Sequence, residues 1–207
     1  LEKISVERVF IELDKLLLAP YWRKGLEGVI ASQSYQYLPL LQNSQLSLEK
    51  LFQLSMDYTF TSSEQAWAAL LLTMEDQAPQ AFLKKWKTSR DFAKKVEQLV
   101  EIYQLRLIGS LNRRDVYRYD KSLLLSAEEL RQAQGLAVDF QAIEELYDSL
   151  TIHDKHEILV NGGILMKEYG LKPGPGLGQV LSAVEWTIVD GELENDKEAI
   201  SSFVSNY

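Results

Sequence analysis

At 207 residues the chain can hold one large or two to three small packed units, and its hydrophobic share of 46% is ordinary for a globular protein. It has no cysteine, which excludes disulfides and thiolate metal sites and suits a reducing, cytoplasmic setting; its longest apolar run, Ala66 to Met74, is too short to span a membrane, and no signal peptide is present. The net charge of −8 argues against nucleic acid as a partner of the chain taken whole, because affinity for phosphates comes from Lys and Arg.

Helical periodicity runs through the chain. Val6, Val9, Phe10, Leu13 and Leu17 fall on one face of a first helix, with Ser5 suited to its N-cap, Glu7 in its first turn and Pro20 closing it. Glu12 is placed to pair with Arg8 and Lys15 with Glu12. Leu48, Leu51 and Phe52 mark a short helix after Ser47. Ser62 with Gln65 forms a predicted capping box before Trp67, Leu70, Leu71 and Met74. Pro79 opens the next helix, with Phe82 and Trp86 inward, and Ser89 caps a long one carrying Phe92, Val96, Leu99, Val100, Tyr103 and Leu107 to Gly109. Ser126 with Glu129 makes a second predicted box, Gly135 stops that helix, and another follows from about Asp139 to Ser149.

Only Ile158 to Val160 has an extended character, too short for a sheet. Leu177 to Val189 is predicted helical, and Asn195 with Glu198 is expected to cap the last helix. The predicted fold class is all-α, an elongated multi-helix array of consecutive helical subdomains. Polar joints near Gln42 to Gln45 and Ser149 to Asp154 divide it into 1–42, 43–148 and 149–207.

Charge is unevenly spread. Lys84, Lys85, Lys87, Arg90, Lys94, Lys95, Arg106, Arg113, Arg114 and Arg118 stand against four acids between 84 and 118, a net +6 that leaves −14 elsewhere. A basic island in an acidic chain suits a polyanion. On a helix from Ser89, Arg90 and Lys94 share a polar stripe with Lys95 beside it. Reversing Arg90, Lys94, Arg113 and Arg114 to Glu is expected to abolish polyanion binding with the fold intact.

The stretch Lys172-Pro173-Gly174-Pro175-Gly176-Leu177-Gly178 carries a second expectation. Glycines let the backbone come close to another molecule, and the helix starting there offers unpaired N–H groups to an anion, with Lys172 nearby. From Ser149 to Tyr207 there are four Lys against nine acids, so a phosphate contact in this region falls to the backbone of Gly176, Leu177 and Gly178. The competing role for the loop is a tight turn that docks the last helices.

Other clusters have plainer readings. His153 and His156 lie one turn apart beside Asp154 and Glu157, but two ligands do not make a metal site, and a solvated polar turn is expected. The run Asp190, Glu192, Glu194, Asp196 and Glu198 lacks EF-hand order and is expected to be solvated surface. Trp22, Trp67, Trp86 and Trp186 are expected in the core, while one of them, or Tyr117 and Tyr119 beside Arg114 and Arg118, could stack on a nucleotide.

Two sequence motifs carry a family resemblance. Asn161-Gly162-Gly163, the Lys-Pro-Gly-Pro-x-x-Gly loop at 172–178 and Asp190-Gly191-Glu192-Leu193 with Asn195 resemble the C-terminal tail of the Gram-positive-type, class II CCA-adding tRNA nucleotidyltransferases. Ile4-Ser5-x-Glu7-Arg8, with Glu12, Lys15, Leu16 and Leu17, resembles the last motif of that family's helical neck. The two bracket the chain, so the resemblance covers essentially all of it.

It implies the end of a neck domain at 1–42, a body at 43–148 and a tail at 149–207, which grip the acceptor and T-arm side of tRNA. A catalytic head of the same polypeptide would use magnesium, CTP and ATP to add CMP and AMP to the tRNA 3′ end. The head's paired aspartates and the Glu-Asp-x-x-Arg motif do not occur here: there is no Asp-x-Asp, and Glu75-Asp76 lacks the Arg. The chain opens on Leu1, not Met, so it is expected to be a piece of a longer enzyme, without catalytic residues or a cofactor of its own and inactive alone. Two other classes stay open: a helical adaptor that binds protein through a basic surface, and an enzyme whose site shows only as the histidine pair.

Overall fold

A computed structural model of the chain describes residues 4–74, 77–170 and 172–207, so Glu75-Asp76 lies outside the described residues. These hold α-helices and short 3-10 turns and no strand, including at Ile158 to Val160. The chain divides into two compact units, 1–110 with 122–140, and 111–121 with 141–207.

The first unit contains α1 (Val6–Leu18), α2 (Trp22–Ala31), α3 (Gln45–Lys50), α4 (Ser63–Leu72), α5 (Pro79–Lys85), α6 (Arg90–Ile108) and all but the first residue of α8 (Lys121–Ala133). Its centre is α4. Ala66, Trp67, Ala68, Ala69, Leu70 and Leu71 are all buried, so the helix is apolar on every side and is covered by α1 and α6. Burying a Leu side chain there contributes about 1.5–3 kcal/mol. Asp14 ties α1 to α4: its carboxylate accepts from Trp67 Nε1 at 3.0 Å and from Ser63 Oγ at 2.8 Å. Phe10 stacks on Trp67 at 4.7 Å, and Trp86 meets Trp67 edge-on at 5.0 Å.

Helix α2 was not anticipated, because Gly25 and Gly28 break its pattern. Gly25 is there for contact: a Cβ would stand 2.8 Å from Leu16 Cγ, so its absence lets α1 and α2 close on each other. The predicted box at Ser126 is also corrected. Helix α8 starts at Lys121 and Ser126 is mid-helix; Ser126 Oγ and Glu129 Oε2 accept instead from Gln65 Nε2 at 3.0 and 2.7 Å. Gln65, on α4, is fully buried, so its amide must find acceptors, and these two α8 side chains supply them. Half of the Ser62 box forms: Ser62 Oγ accepts from Gln65 N at 3.1 Å, while Gln65 Oε1 turns to Thr61 N at 2.9 Å.

The second unit contains α7 (Arg113–Tyr117), all but the first residue of α9 (Phe140–Asp148), α10 (Gly162–Tyr169), α11 (Pro175–Asp190) and α12 (Lys197–Ser205). Val180, Val184, Ile188 and Val189 form the buried face of α11, against which α7, α10 and α12 pack. Asn161 caps α10 through Ile164 N at 3.1 Å. The cap of α12 is Asp196, not Asn195: Asp196 Oδ1 accepts from Glu198 N at 2.8 Å and Ala199 N at 2.9 Å. Asn195 is drawn away to hold the 157–159 segment, accepting from Leu159 N at 3.0 Å and donating to Glu157 O at 2.9 Å.

Candidate nucleic-acid interface

The basic island is one run in sequence and two populations in the fold. In the first unit, α5 ends in Lys84 and Lys85, a turn carries Lys87, and α6 begins with Arg90 and Lys94 one helical turn apart. Pro79 at the start of α5 and the Ser89 cap, whose Oγ accepts from Phe92 N at 3.1 Å, fix this helix–turn–helix. Gln80, Lys84, Lys87, Thr88, Ser89, Arg90, Ala93 and Lys94 line a groove of about 630 Å³. Among the described residues four cations line it and no carboxylate does.

Lys84, Lys85, Arg90 and Lys94 are exposed and make no ion pair among the described residues. Lys95 pairs with Asp91 at 2.9 Å and Lys87 with Glu7 at 3.0 Å. A bond from its own backbone N–H, and then the Lys87 ammonium, hold the Glu7 carboxyl below the usual range. Lys87 has φ 56°, a left-handed conformation a lysine adopts only under constraint.

Arg106, the next member of the island, turns inward. Its Nε and Nη2 donate to the fully buried Glu128 at 2.6 and 3.2 Å.

Arg113, Arg114 and Arg118 belong to the second unit and are engaged there. Arg113 donates through Nε to Val189 O at 2.6 Å, through Nη2 to Ser149 O at 2.9 Å and through Nη1 to Ser149 Oγ at 3.1 Å. Arg114 grips Asp190 with two parallel bonds, which holds the Asp190 carboxyl below its ordinary range. Arg114 and Arg118 lie over the half-buried Trp186 at 5.4 and 5.8 Å. Tyr117 meets Trp186 edge-on and donates to Glu185 at 2.8 Å; burial, then that bond, push its hydroxyl above the usual range. Reversing Arg113 to Glu would remove the donor to three acceptors, so that one substitution is expected to disturb the second unit. Neither contact was anticipated, though Asn112-x-x-Asp115 signals α7: it forms a complete capping box.

In the 172–178 loop only Gly174 needs to be glycine, with φ 149° at the N-cap of α11. Gly176 and Gly178 lie in the first helical turn, are exposed, and would accept a Cβ into open space. No side chain caps this helix, and Pro175 has no N–H, so the N–H groups of Gly176 and Leu177 have no side-chain acceptor. Lys172 is exposed. Leu177 is half-buried and packs toward Gly162, where an added Cβ would meet Leu177 Cδ2 at 3.5 Å.

His153 Nε2 sits 3.1 Å from Tyr147 O, and His156 is exposed. Among the described residues no three His, Asp or Glu side chains converge as metal ligands, so these residues offer no fit for a bound metal. Trp22, Trp67 and Trp86 are fully buried, and Tyr119 is buried. No described helix is long and apolar enough to cross a membrane.

The profile of "tRNA nucleotidyltransferase domain 2" matches residues 58–204, most of the chain. The chain belongs to the tRNA nucleotidyltransferase family. Residues 1–45 match a second profile, "RNA and SrmB-binding site of polymerase A". CCA-adding enzymes resemble this tRNA nucleotidyltransferase chain along its whole length. That of Streptococcus pneumoniae (strain R6) is 61% identical over 204 residues, 99% of this chain and 51% of the relative. That of Streptococcus mutans is 58% identical over 205 residues, again 51% of the relative. The chain thus spans about half the length of these relatives. The crystal structure of the Bacillus stearothermophilus CCA-adding enzyme in complex with CTP matches with a TM-score of 0.86 at 25% identity, over 98% of this chain and 52% of that one.

Proposed function

We propose that this chain is the tRNA-gripping portion of a CCA-adding tRNA nucleotidyltransferase, in which a head on the same polypeptide adds CMP and AMP from CTP and ATP to the tRNA 3′ end. The observation that carries this reading is the α5–α6 groove, with four cations and no carboxylate on its walls among the described residues. Such a surface holds a phosphate backbone by charge and shape and reads no bases, which suits a partner that must include every tRNA. Lys84, Lys85, Arg90 and Lys94 carry the contact, with Lys87 and Lys95 shared with Glu7 and Asp91. Arg113, Arg114 and Arg118 serve it indirectly, by shaping the second unit. Neck, body and tail would correspond to 1–42, 43–148 and 149–207, laid along the acceptor and T-arm side in the cytoplasm. Magnesium and the nucleotides belong with the head. Ile4, Val9, Leu13, Leu16, Val29 and Leu38 line an apolar groove of about 410 Å³ that suits docking by the head.

The test is tRNA binding at several salt concentrations. Replacing Lys84, Arg90 and Lys94 by Ala should leave the melting temperature unchanged and reduce the steepness of log affinity against log salt by about three, one for each lost phosphate contact. An unchanged slope in a folded variant would favour a protein-binding adaptor instead. Labelled CMP and AMP should not be incorporated into tRNA by this chain alone.

The tail's share is separable. Gly176→Ala with Gly178→Ala should stabilise α11 by up to about 1 kcal/mol per site, since helical alanine is favoured over glycine. Both changes place methyl groups where a phosphate would approach the free N–H groups. Weaker tRNA binding by this more stable variant, and by Lys172→Glu, would mark the loop as a contact; unchanged affinity would make it a structural turn only.

A further inference from the structure

The turn from Trp86 to Ser89 has a second side. Lys87, Thr88 and Ser89 line the cationic groove on one flank and, on the other, a pocket of about 420 Å³ completed by Glu7, Phe10, Ile11, Ser63, Glu64, Trp86 and Phe92. The two cavities share those three residues as a common wall. Phe10 and Phe92 meet edge to face at 5.6 Å and both stay half-buried, while Ile11 stands at the rim, 48% exposed. Trp86 forms the floor. It is fully buried, and its indole N–H has no hydrogen-bond acceptor among the described residues. A buried donor left unpaired is uncommon. Lys87, at the apex of the shared wall, holds a backbone conformation that lysine avoids, and such outliers cluster at ligand clamps.

We infer that this pocket receives the base of an unpaired nucleotide of the bound RNA, with its flanking phosphates on Lys87, Arg90 and Lys94 in the groove. The inference rests on the tRNA reading above and adds a single-strand subsite to it. Charge narrows the ligand: Glu7 and Glu64 on the pocket's own wall disfavour a phosphate inside it, while the cations of the adjoining groove attract one, which fits an aromatic base joined to phosphates. Duplex RNA keeps its bases paired and stacked, so it could use the groove but not the pocket. The parts of Phe10 and Phe92 left uncovered supply stacking surface that accepts any base.

The test is a nitrogen–proton correlation spectrum of the chain, in which each of the four Trp gives one indole peak and Trp86→Phe identifies its own. A single-stranded hexaribonucleotide should shift the Trp86 peak saturably; a blunt RNA duplex of the same composition should leave it in place. Ile11→Glu puts a carboxylate at the rim, where half-exposure keeps the fold safe, and should weaken single-strand binding roughly tenfold or more, the loss expected of one stacked base. Should that variant melt early, Lys87→Gly serves instead: it removes the cation and relieves the backbone, and should weaken the same binding several-fold. A Trp86 peak that ignores the single strand, or responds equally to the duplex, overturns the subsite. If tRNA binding with its groove-dependent salt slope persists in that case, only the subsite falls; if tRNA does not bind at all, the tRNA reading falls with it.

Discussion

Glu128→Ala is expected to lower the stability of the first unit by about 3–5 kcal/mol, the loss that follows removal of one partner from a buried ion pair. Glu128 has no solvent exposure. It accepts from Arg106 Nε at 2.6 Å and Nη2 at 3.2 Å and from Asp139 N at 2.9 Å, and Arg131 Nε stands 3.5 Å away. Arg106 and Arg131 side chains are only 11% and 7% exposed, so alanine would leave two largely buried guanidiniums without their shared carboxylate. Arg131 has no slack to absorb this: its Nε and Nη1 already lack hydrogen-bond partners, and its Nη2 donates to Ala137 O at 2.9 Å. Glu128→Gln keeps the shape and one acceptor and should cost less. Urea unfolding followed by tryptophan fluorescence reads the effect, since Trp22, Trp67 and Trp86 all lie in this unit. A loss under 1 kcal/mol for the alanine variant would mean that the three charges are not a structural unit.

Arg113→Ala should destabilise the second unit by about 2–4 kcal/mol, because bonds from a charged donor are worth about 1.5–3 kcal/mol each and do not add fully. Three acceptors depend on this one side chain, on two separate stretches of chain: Ser149 Oγ and O, and Val189 O. Arg90→Ala is the control, an exposed residue whose loss should stay within about 0.5 kcal/mol. Thermal melting with hydrogen exchange at α11 separates the two outcomes; equal stability of both variants would refute the clamp. Asp190 adds a pH signature to this unit. Its pKa is depressed in the folded state, so the contribution of its pair with Arg114 is present above the ordinary carboxylate range and is lost as pH falls through the folded value.

Helices with a strong apolar stripe or a local cap were legible in the sequence. Ser5, Pro79 and Ser89 mark their helices because each signal is complete within four residues. Caps failed wherever a distant partner outbid the local one. Gln65 drew Ser126 and Glu129 away from a helix start, and the 157–159 segment claimed Asn195. Helix α2 was hidden because glycine signals a break in sequence and close packing in space.

The candidate site divides along the same line. That 84–95 carries exposed cations was readable from the helical stripe of Arg90 and Lys94. That Arg106, Arg113 and Arg114 bond to acceptors within the chain was not, since those acceptors lie 22 to 76 residues further along. The Asp-Gly-Glu-Leu-x-Asn stretch, prominent as a family motif, turns out to receive Arg113 and Arg114. Asp190 takes Arg114, and Gly191 lies against Arg113, whose Nη2 would stand 3.6 Å from a Cβ there.

The clamp at Arg113 also sets an order of events at birth. Its partner Val189 is made 76 residues later, which at about 5–20 residues per second is a delay of roughly 4–15 seconds during translation. In that interval residues 122–140 emerge and supply what the first unit needs, Ser126 and Glu129 for Gln65 and Glu128 for Arg106. Residues 111–121 meanwhile wait without α11, holding Arg113, Arg114 and Arg118 unsatisfied. The growing polypeptide therefore carries, for those seconds, an arginine-rich segment whose acceptors on α11 do not yet exist, beside a ribosome built largely of RNA.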